Sequence, residues 1–165
     1  MAGPDADFEE LFQVEYSSLV RAVFPIVADV GDAEAIVQEA FVKASVRWET
    51  VRRFDRPGAW VRRVAIRDAV RHATRRRRPW GLPSPSTGIA ESVTDRVDLD
   101  RALSRLPARQ RAAVVLHHLL GWPAAEVAET LGCAESTVRV HLHRGRTALA
   151  AMLTDDAEGV SDGRR

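Results

Sequence analysis

The 165-residue chain contains one cysteine, one lysine and one tyrosine. With Cys133 alone, neither a disulfide within the chain nor a cysteine-based metal cluster can form; beside Gly132, it is expected to be a small core residue. No apolar run approaches the roughly 20 residues of a membrane-spanning helix. The acidic start, Met1 to Phe8, lacks the basic segment and apolar stretch of a secretory leader. A cytoplasmic protein without membrane association is the expectation. Aromatics make up only 6% of the chain, and β-branched residues are scattered through stretches of Ala, Leu and Arg, which favours helices over sheet. Five histidines occur, with His117 and His118 adjacent and His141 and His143 two apart. Neither spacing sets two ligands on one helical face. With no catalytic constellation either, no enzymatic activity, metal or cofactor is expected.

What the chain does have is segregated charge. The formal net charge is +1, but Met1 to Gly58 holds eleven acids against six bases, a net of −5. Ala59 to Trp80 holds eight arginines against Asp68, a net of +7. Such segregation points to surfaces with different partners. Since Lys43 is the sole lysine, nearly all positive charge is guanidinium, suited to phosphates and base edges. The excess of Arg over Lys also fits a GC-rich genome.

Hydrophobic spacing predicts a first helix from Asp7 to Ala28, with Phe8, Leu11, Phe12, Leu19 and Val23 on one face and Pro25 kinking or ending it. A second helix is expected after Gly31 with Asp32 as its N-cap, burying Ile36, Val37, Ala40, Phe41 and Ala44, with Trp48 just beyond. Glu49 to Gly58 reads as a loop. A third helix from near Ala59 turns Trp60, Val61, Val64, Ala65 and Ala69 inward. The Pro-, Ser- and Gly-rich stretch from Pro79 is a semi-stiff linker. Periodicity resumes near Val97, pauses at Leu106-Pro107 and runs to about Leu153. The fold expected is all-α, with small helical domains at 7–78 and 98–153, a linker at 79–97 and a disordered tail at 154–165.

The most specific pattern lies from Pro123 to Leu149. A short helix, Ala124 to Leu131, faces Val127, Ala128 and Leu131 inward, and Gly132 supplies the positive φ of a helix stop. A longer helix from Glu135 to Met152 aligns Val138, Leu142, Gly145, Leu149 and Met152. Two helices joined by a Gly-containing turn form a helix-turn-helix, whose second helix enters the major groove. Its outward face carries Ser136, Arg139, Val140, His143, Arg144 and Arg146, and no acid occurs between Glu135 and Asp155. Arg reads guanine bidentately, while Ser136 and Thr137 suit a phosphate or a base edge. An arginine-bearing solvated face is the plainer reading of periodicity taken by itself.

The runs Leu103-Ser-Arg-Leu-Pro-Ala-Arg-Gln-Arg, Glu126-Val-Ala-Glu-Thr-Leu-Gly and Thr137-Val-Arg-Val-His-Leu-His-Arg-Gly-Arg resemble region 4 of the extracytoplasmic-function (ECF) sigma factors. The resemblance implies recognition of the −35 promoter element by Arg139, Val140, His143 and Arg144, with Ser136 and Thr137 nearby, and docking on the polymerase β flap. Pro123 stands where a capping Ser or Thr is common in the family, and Ala134 where a Ser often caps the recognition helix. The second loss costs about 1 kcal/mol unless Ser136 or water substitutes.

Asp32-Ala-Glu-Ala-Ile-Val-Gln-Glu-Ala-Phe in turn resembles sigma region 2.2, which implies that Asp32, Glu34, Gln38 and Glu39 meet the β′ clamp helices of core RNA polymerase. Ala35 replaces a frequent acid. An ordinary amphipathic helix is the alternative for this segment by itself. Independently of family, Arg63, Arg67, Arg71 and Arg75 recur at i, i+4, with Arg62 and Arg76 to Arg78 beside them. Like charges so placed cost an isolated helix roughly 0.2–0.5 kcal/mol per pair, a cost a polyanion offsets. In the family this helix supports the melted −10 strand and the loop before it captures a flipped base. Trp60 reads first as core and second as a stacking platform. Arg67 and Arg71 replace the family's frequent Asn and Asp, so the −10 preference is expected to differ while strand binding is kept.

The whole pattern implies an alternative sigma factor with core polymerase and promoter DNA as partners, and an anti-sigma protein as a further one. A stand-alone helix-turn-helix regulator is the main alternative. A small recombinase fragment lacks its acidic or nucleophilic site, and a structural adaptor leaves the arginine stripe unexplained.

Overall fold

Residues 4–76 and 93–161 are described in a computed structural model, with side chains described for 7–76 and 99–154. No strand occurs among them. The chain divides into two compact units, Met1–Ser84 and Pro85–Arg165. The expected linker at 79–97 falls mostly outside the described residues, as do Arg77 and Arg78.

In the first unit α1 (Pro4–Val27), α2 (Val30–Val46) and α4 (Pro57–Arg75) pack on one another, and α3 (Trp48–Val51) touches α1 and α2. The core draws Leu19, Val23 and Ile26 from α1, Val37, Ala40, Phe41 and Ala44 from α2, and Val61, Ala65, Ile66 and Ala69 from α4. Phe8, Phe12 and Tyr16 lie four residues apart, so one face of α1 presents three rings. Phe12 meets Phe41 edge-on at 4.9 Å, and Phe8 meets Trp48 edge-on at 5.2 Å. Such pairs add about 0.5–1.5 kcal/mol beyond the area they bury.

Several boundaries differ from expectation. α1 begins at Pro4, and Pro25 sits inside its last turn, where it gives up the bond to the Arg21 carbonyl and the helix ends two residues later at Val27. The N-cap of α2 is Asp29, not Asp32: its extended backbone (φ −149°) lets the carboxylate accept from the Asp32 N–H at 2.9 Å. Ala28 takes a left-handed conformation (φ 58°) and turns the chain between the two helices. The expected loop at 49–58 begins as the one-turn α3, because Trp48 and Val51 are pulled into the core. α4 starts at Pro57, whose fixed φ and absent N–H suit a first turn.

The second unit comprises α5 (Val93–Arg105), α6 (Ala108–Val114), a π-helical turn (Val115–Leu119), α7 (Ala124–Leu131) and α8 (Glu135–Ser161). α5, α6 and α7 all pack on α8. Helix α8 continues through Ser161, where a disordered tail from Thr154 was expected, and α5 starts four residues before the periodicity at Val97. A positive-φ glycine ends α7 as predicted: Gly132 has φ 67°, and the Cys133 N–H donates to the Ala128 carbonyl at 3.0 Å. That is the bond of a glycine-terminated helix. Cys133 is half-buried at this turn. Gly145 faces α6, where a Cβ would stand 2.6 Å from Val114 Cγ2, so the missing side chain sets how closely α8 approaches.

Arg111 is the unexpected member of this core. Only 8% exposed, its Nη2 donates to the Ser104 carbonyl at 2.8 Å and the Leu106 carbonyl at 3.0 Å. The last carbonyls of a helix lack intrahelical donors and carry the negative end of its dipole. One guanidinium therefore closes α5 and fixes the Pro107 corner into α6. Burial lowers its pKa from the usual arginine value.

Candidate nucleic-acid interfaces

Burying Val138, Leu142 and Gly145 commits one stripe of α8 to the core and leaves the rest to solvent. Ser136, Arg139, Val140, His143, Arg144 and Arg146 are all exposed, as the spacing predicts, and Thr137 is half-buried. Pro123 and Ala134 precede α7 and α8 without a side-chain cap; at Ala134 the carbonyl accepts from the Thr137 and Val138 N–H groups instead. Glu135 places a carboxylate in the first turn, a favourable match to the dipole. It holds Arg139 through a 2.6 Å contact between Oε1 and Nη2.

Neighbouring helices extend this surface. The pKa of His141 is lowered, first by desolvation and then by Arg109 and Arg144. Arg109, at the start of α6, therefore shares a positive field with α8, an extension that periodicity within α8 could not reveal. His118 is lowered by desolvation, then by His117 and Arg146. The π-helical turn sets the adjacent His117 and His118 rings edge-on, 4.9 Å apart, and His117 Nδ1 lies 2.7 Å from the Trp122 carbonyl oxygen. No cluster of three or more His, Cys, Asp or Glu is placed to hold a metal among the described residues. No helix there is long and apolar enough to cross a membrane.

In the first unit the arginine stripe of α4 is not uniform. Arg71 and Arg75 are exposed, while Arg62, Arg63 and Arg67 are half-buried. Asp68 takes Arg71 Nη1 at 2.8 Å and Lys43 Nζ at 2.8 Å, which tempers the repulsion expected of four stacked cations. Trp60 is half-buried at the start of α4, whereas Phe54 stands 44% exposed in the turn before it, between exposed Arg52, Arg53, Asp55 and Arg56. An open aromatic among cations suits an unstacked base better than Trp60 does. The run Arg52-Arg53-Phe54-Asp55-Arg56 was the available signal, but Trp60 overshadowed it.

On α2, Glu34, Gln38 and Glu39 are exposed, beside Ala35, Val42 and Val46. Gln38 Nε2 donates to the Tyr16 hydroxyl at 3.4 Å, and Glu39 approaches Lys43 at 3.8 Å. Asp32 is engaged elsewhere: its Oδ2 lies 3.1 Å from His72 Nε2 and 2.5 Å from Arg76 Nη1. With Lys43–Asp68 further along, these contacts tie α2 antiparallel to α4 and anchor the cationic end of α4.

Residues 11–79 match the family model for sigma-70 region 2, and residues 96–149 match that for sigma-70, region 4. The chain is similar to the RNA polymerase sigma-E factor of Streptomyces coelicolor, 31% identical over 153 residues that cover 89% of this chain and 86% of that one. It is likewise similar to the ECF RNA polymerase sigma factor SigM of Mycobacterium tuberculosis, 30% identical over 160 residues, covering 93% and 80%. In fold it resembles the sigma factor RpoE of Bartonella quintana, solved with the anti-sigma factor NepR. The TM-score is 0.68 at 22% identity, covering 90% of this chain and 97% of that one.

Proposed function

This chain belongs to the extracytoplasmic-function group of RNA polymerase sigma factors, and from that premise we propose how its surfaces divide the work. It is an alternative sigma factor, which binds core polymerase and directs initiation at promoters. Ser136, Thr137, Arg139, Val140, His143 and Arg144 read the −35 element from α8, with Arg109 and Arg146 on flanking phosphates. Arg62, Arg63, Arg67, Arg71 and Arg75 hold the separated −10 strand. Phe54 stacks on an unpaired base, and Trp60 supports the start of α4 from a half-buried position. Glu34, Gln38 and Glu39 dock on core polymerase with Val42 and Val46 as their apolar complement. Asp32 contributes by anchoring α4 rather than by direct contact. The protein acts in the cytoplasm, without catalytic groups of its own, and an anti-sigma partner of the kind bound to the Bartonella factor covers it when idle.

The observation that carries this reading is the exposed cationic face of α8, free of acids from Ser136 to Thr154 on the second helix of a helix-turn-helix. Run-off transcription from a promoter library with core polymerase is expected to depend on this protein, while DNA by itself binds it poorly. A stand-alone regulator would show the opposite: tight, core-independent binding to an operator. Within the active assay, Phe54→Ala is expected to reduce open complex at the −10 element by about tenfold, the worth of one base–aromatic stack. Permanganate footprinting of unpaired thymines reads this directly, and unchanged melting would remove Phe54 from the site.

A further inference from the structure

Glu135 is the one carboxylate between Glu129 and Asp155. A negative charge at the edge of a phosphate-binding surface lowers affinity for every duplex, whatever its sequence. On an ordinary helix the pair it forms with Arg139 would mean little, since exposed i, i+4 ion pairs contribute weakly to stability. Here the acid stands at the edge of a cationic face, in the first turn where the helix dipole favours it, and it grips one of the exposed arginines there. Glu135 Oε1 lies 2.6 Å from Arg139 Nη2, with the glutamate side chain 43% and the arginine side chain 73% exposed.

An unrestrained arginine on a helix surface samples many rotamers, and reading a base requires one. A carboxylate that takes one hydrogen of Nη2 fixes the plane of the fork while other N–H groups remain available as a side-by-side pair. Guanine offers O6 and N7 to such a pair. Resting on the reading of α8 as the −35 helix, we propose that Glu135 is a positioning residue that sets specificity. It orients Arg139 for one guanine of the −35 element and disfavours any duplex that lacks it. The carboxylate thus exchanges general affinity for discrimination, acting through Arg139 rather than on the base.

The test is initiation by core polymerase from a library varied through the −35 element, with the full-length chain as wild type, Glu135→Ala, Arg139→Ala and the double variant. Thermal unfolding of each protein is measured alongside. Glu135→Ala is expected to cut the preference for guanine at one position by roughly threefold to tenfold, a fraction of a bidentate contact. Initiation from promoters without that guanine should rise about twofold as the repulsion is removed. Arg139→Ala should erase the preference at the same position, and the double variant should match it. A uniform change across all promoters after Glu135→Ala overturns the proposal, because loss of helix stability acts without regard to sequence. A residual change in base preference on Glu135→Ala in the Arg139→Ala background also overturns it, because the carboxylate then reads the base itself; a sequence-independent rise of about twofold is expected there, from the lost repulsion. If Arg139→Ala alters no positional preference, the −35 reading of this arginine falls, and the role of Glu135 with it.

Discussion

Arg111→Met is expected to lower the stability of the second unit by about 2–4 kcal/mol. The variant keeps an apolar stem of similar length but deletes the donors to the Ser104 and Leu106 carbonyls. Hydrogen bonds to a charged donor are worth about 1.5–3 kcal/mol each, and an orphaned buried carbonyl adds its own desolvation. Against this stands the relief of no longer burying a cation, which keeps the loss below the sum of the bonds. For a domain of this size the midpoint of thermal unfolding should fall by roughly 10–20 °C. Arg111→Lys should recover less than half, because the shorter lysine stem does not carry its ammonium to the Nη2 position from which both carbonyls are reached. A midpoint within a couple of degrees of wild type would show that the corner between α5 and α6 closes without the guanidinium.

Gly145→Ala offers a reversal of sign. In a helix interior the change is ordinarily favourable by about 1 kcal/mol. Here the new Cβ would stand 2.6 Å from Val114 Cγ2, with the Gln110 carbonyl oxygen at 3.7 Å and Leu106 Cδ1 at 3.8 Å. Val114 is β-branched and held to one rotamer in its helix, so it yields poorly. Overpacking of this kind costs about 1–3 kcal/mol. Gly145→Ala in the wild-type background is therefore expected to destabilise by about 1–2 kcal/mol, and in a Val114→Ala background to stabilise by about 0.5–1 kcal/mol. Denaturant unfolding of the four proteins gives the coupling directly. Because Gly145 lies opposite the exposed arginines, the single variant should also weaken −35-dependent initiation, and Val114→Ala should restore it. Additive energies would mean that α8 shifts away from α6 without cost.

The all-helical fold was legible because 3.6-residue spacing recurs strongly in α1, α2, α4 and α8, and because Gly132 marks a turn with a physical requirement. What spacing could not decide was competition between similar residues. Asp29 and Asp32 flank Gly31, and either suits an N-cap; only the backbone, extended at Asp29, separates them. Asp32 was thereby released to meet His72 and Arg76, forty and forty-four residues away, a partnership no local pattern records. α3 has four residues, too few for a period, and exists because Trp48 and Val51 are buried. The arginine stripe was read correctly as a face, but the reach of Asp68 across to Lys43 is a tertiary fact. Phe54 lies in the loop that the family resemblance links to base capture, but the larger Trp60 nearby drew the reading of an aromatic platform, and only the fold shows Phe54 to be the more open of the two. The acids Asp155 and Asp156 suggested a solvated tail, yet the helical backbone carries on past them to Ser161.

The scarcity of lysine and cysteine has a practical consequence. Lys43 lies in the first unit, bridging α2 and α4, and Cys133 lies in the second, at the turn of the helix-turn-helix. Amine chemistry therefore addresses one side chain, besides the terminal amino group, and thiol chemistry addresses another, with no residue to be engineered away. A donor dye on one and an acceptor on the other would turn the natural chain into a molecular ruler. Energy transfer between them would follow the separation of the two units as core polymerase and promoter are added.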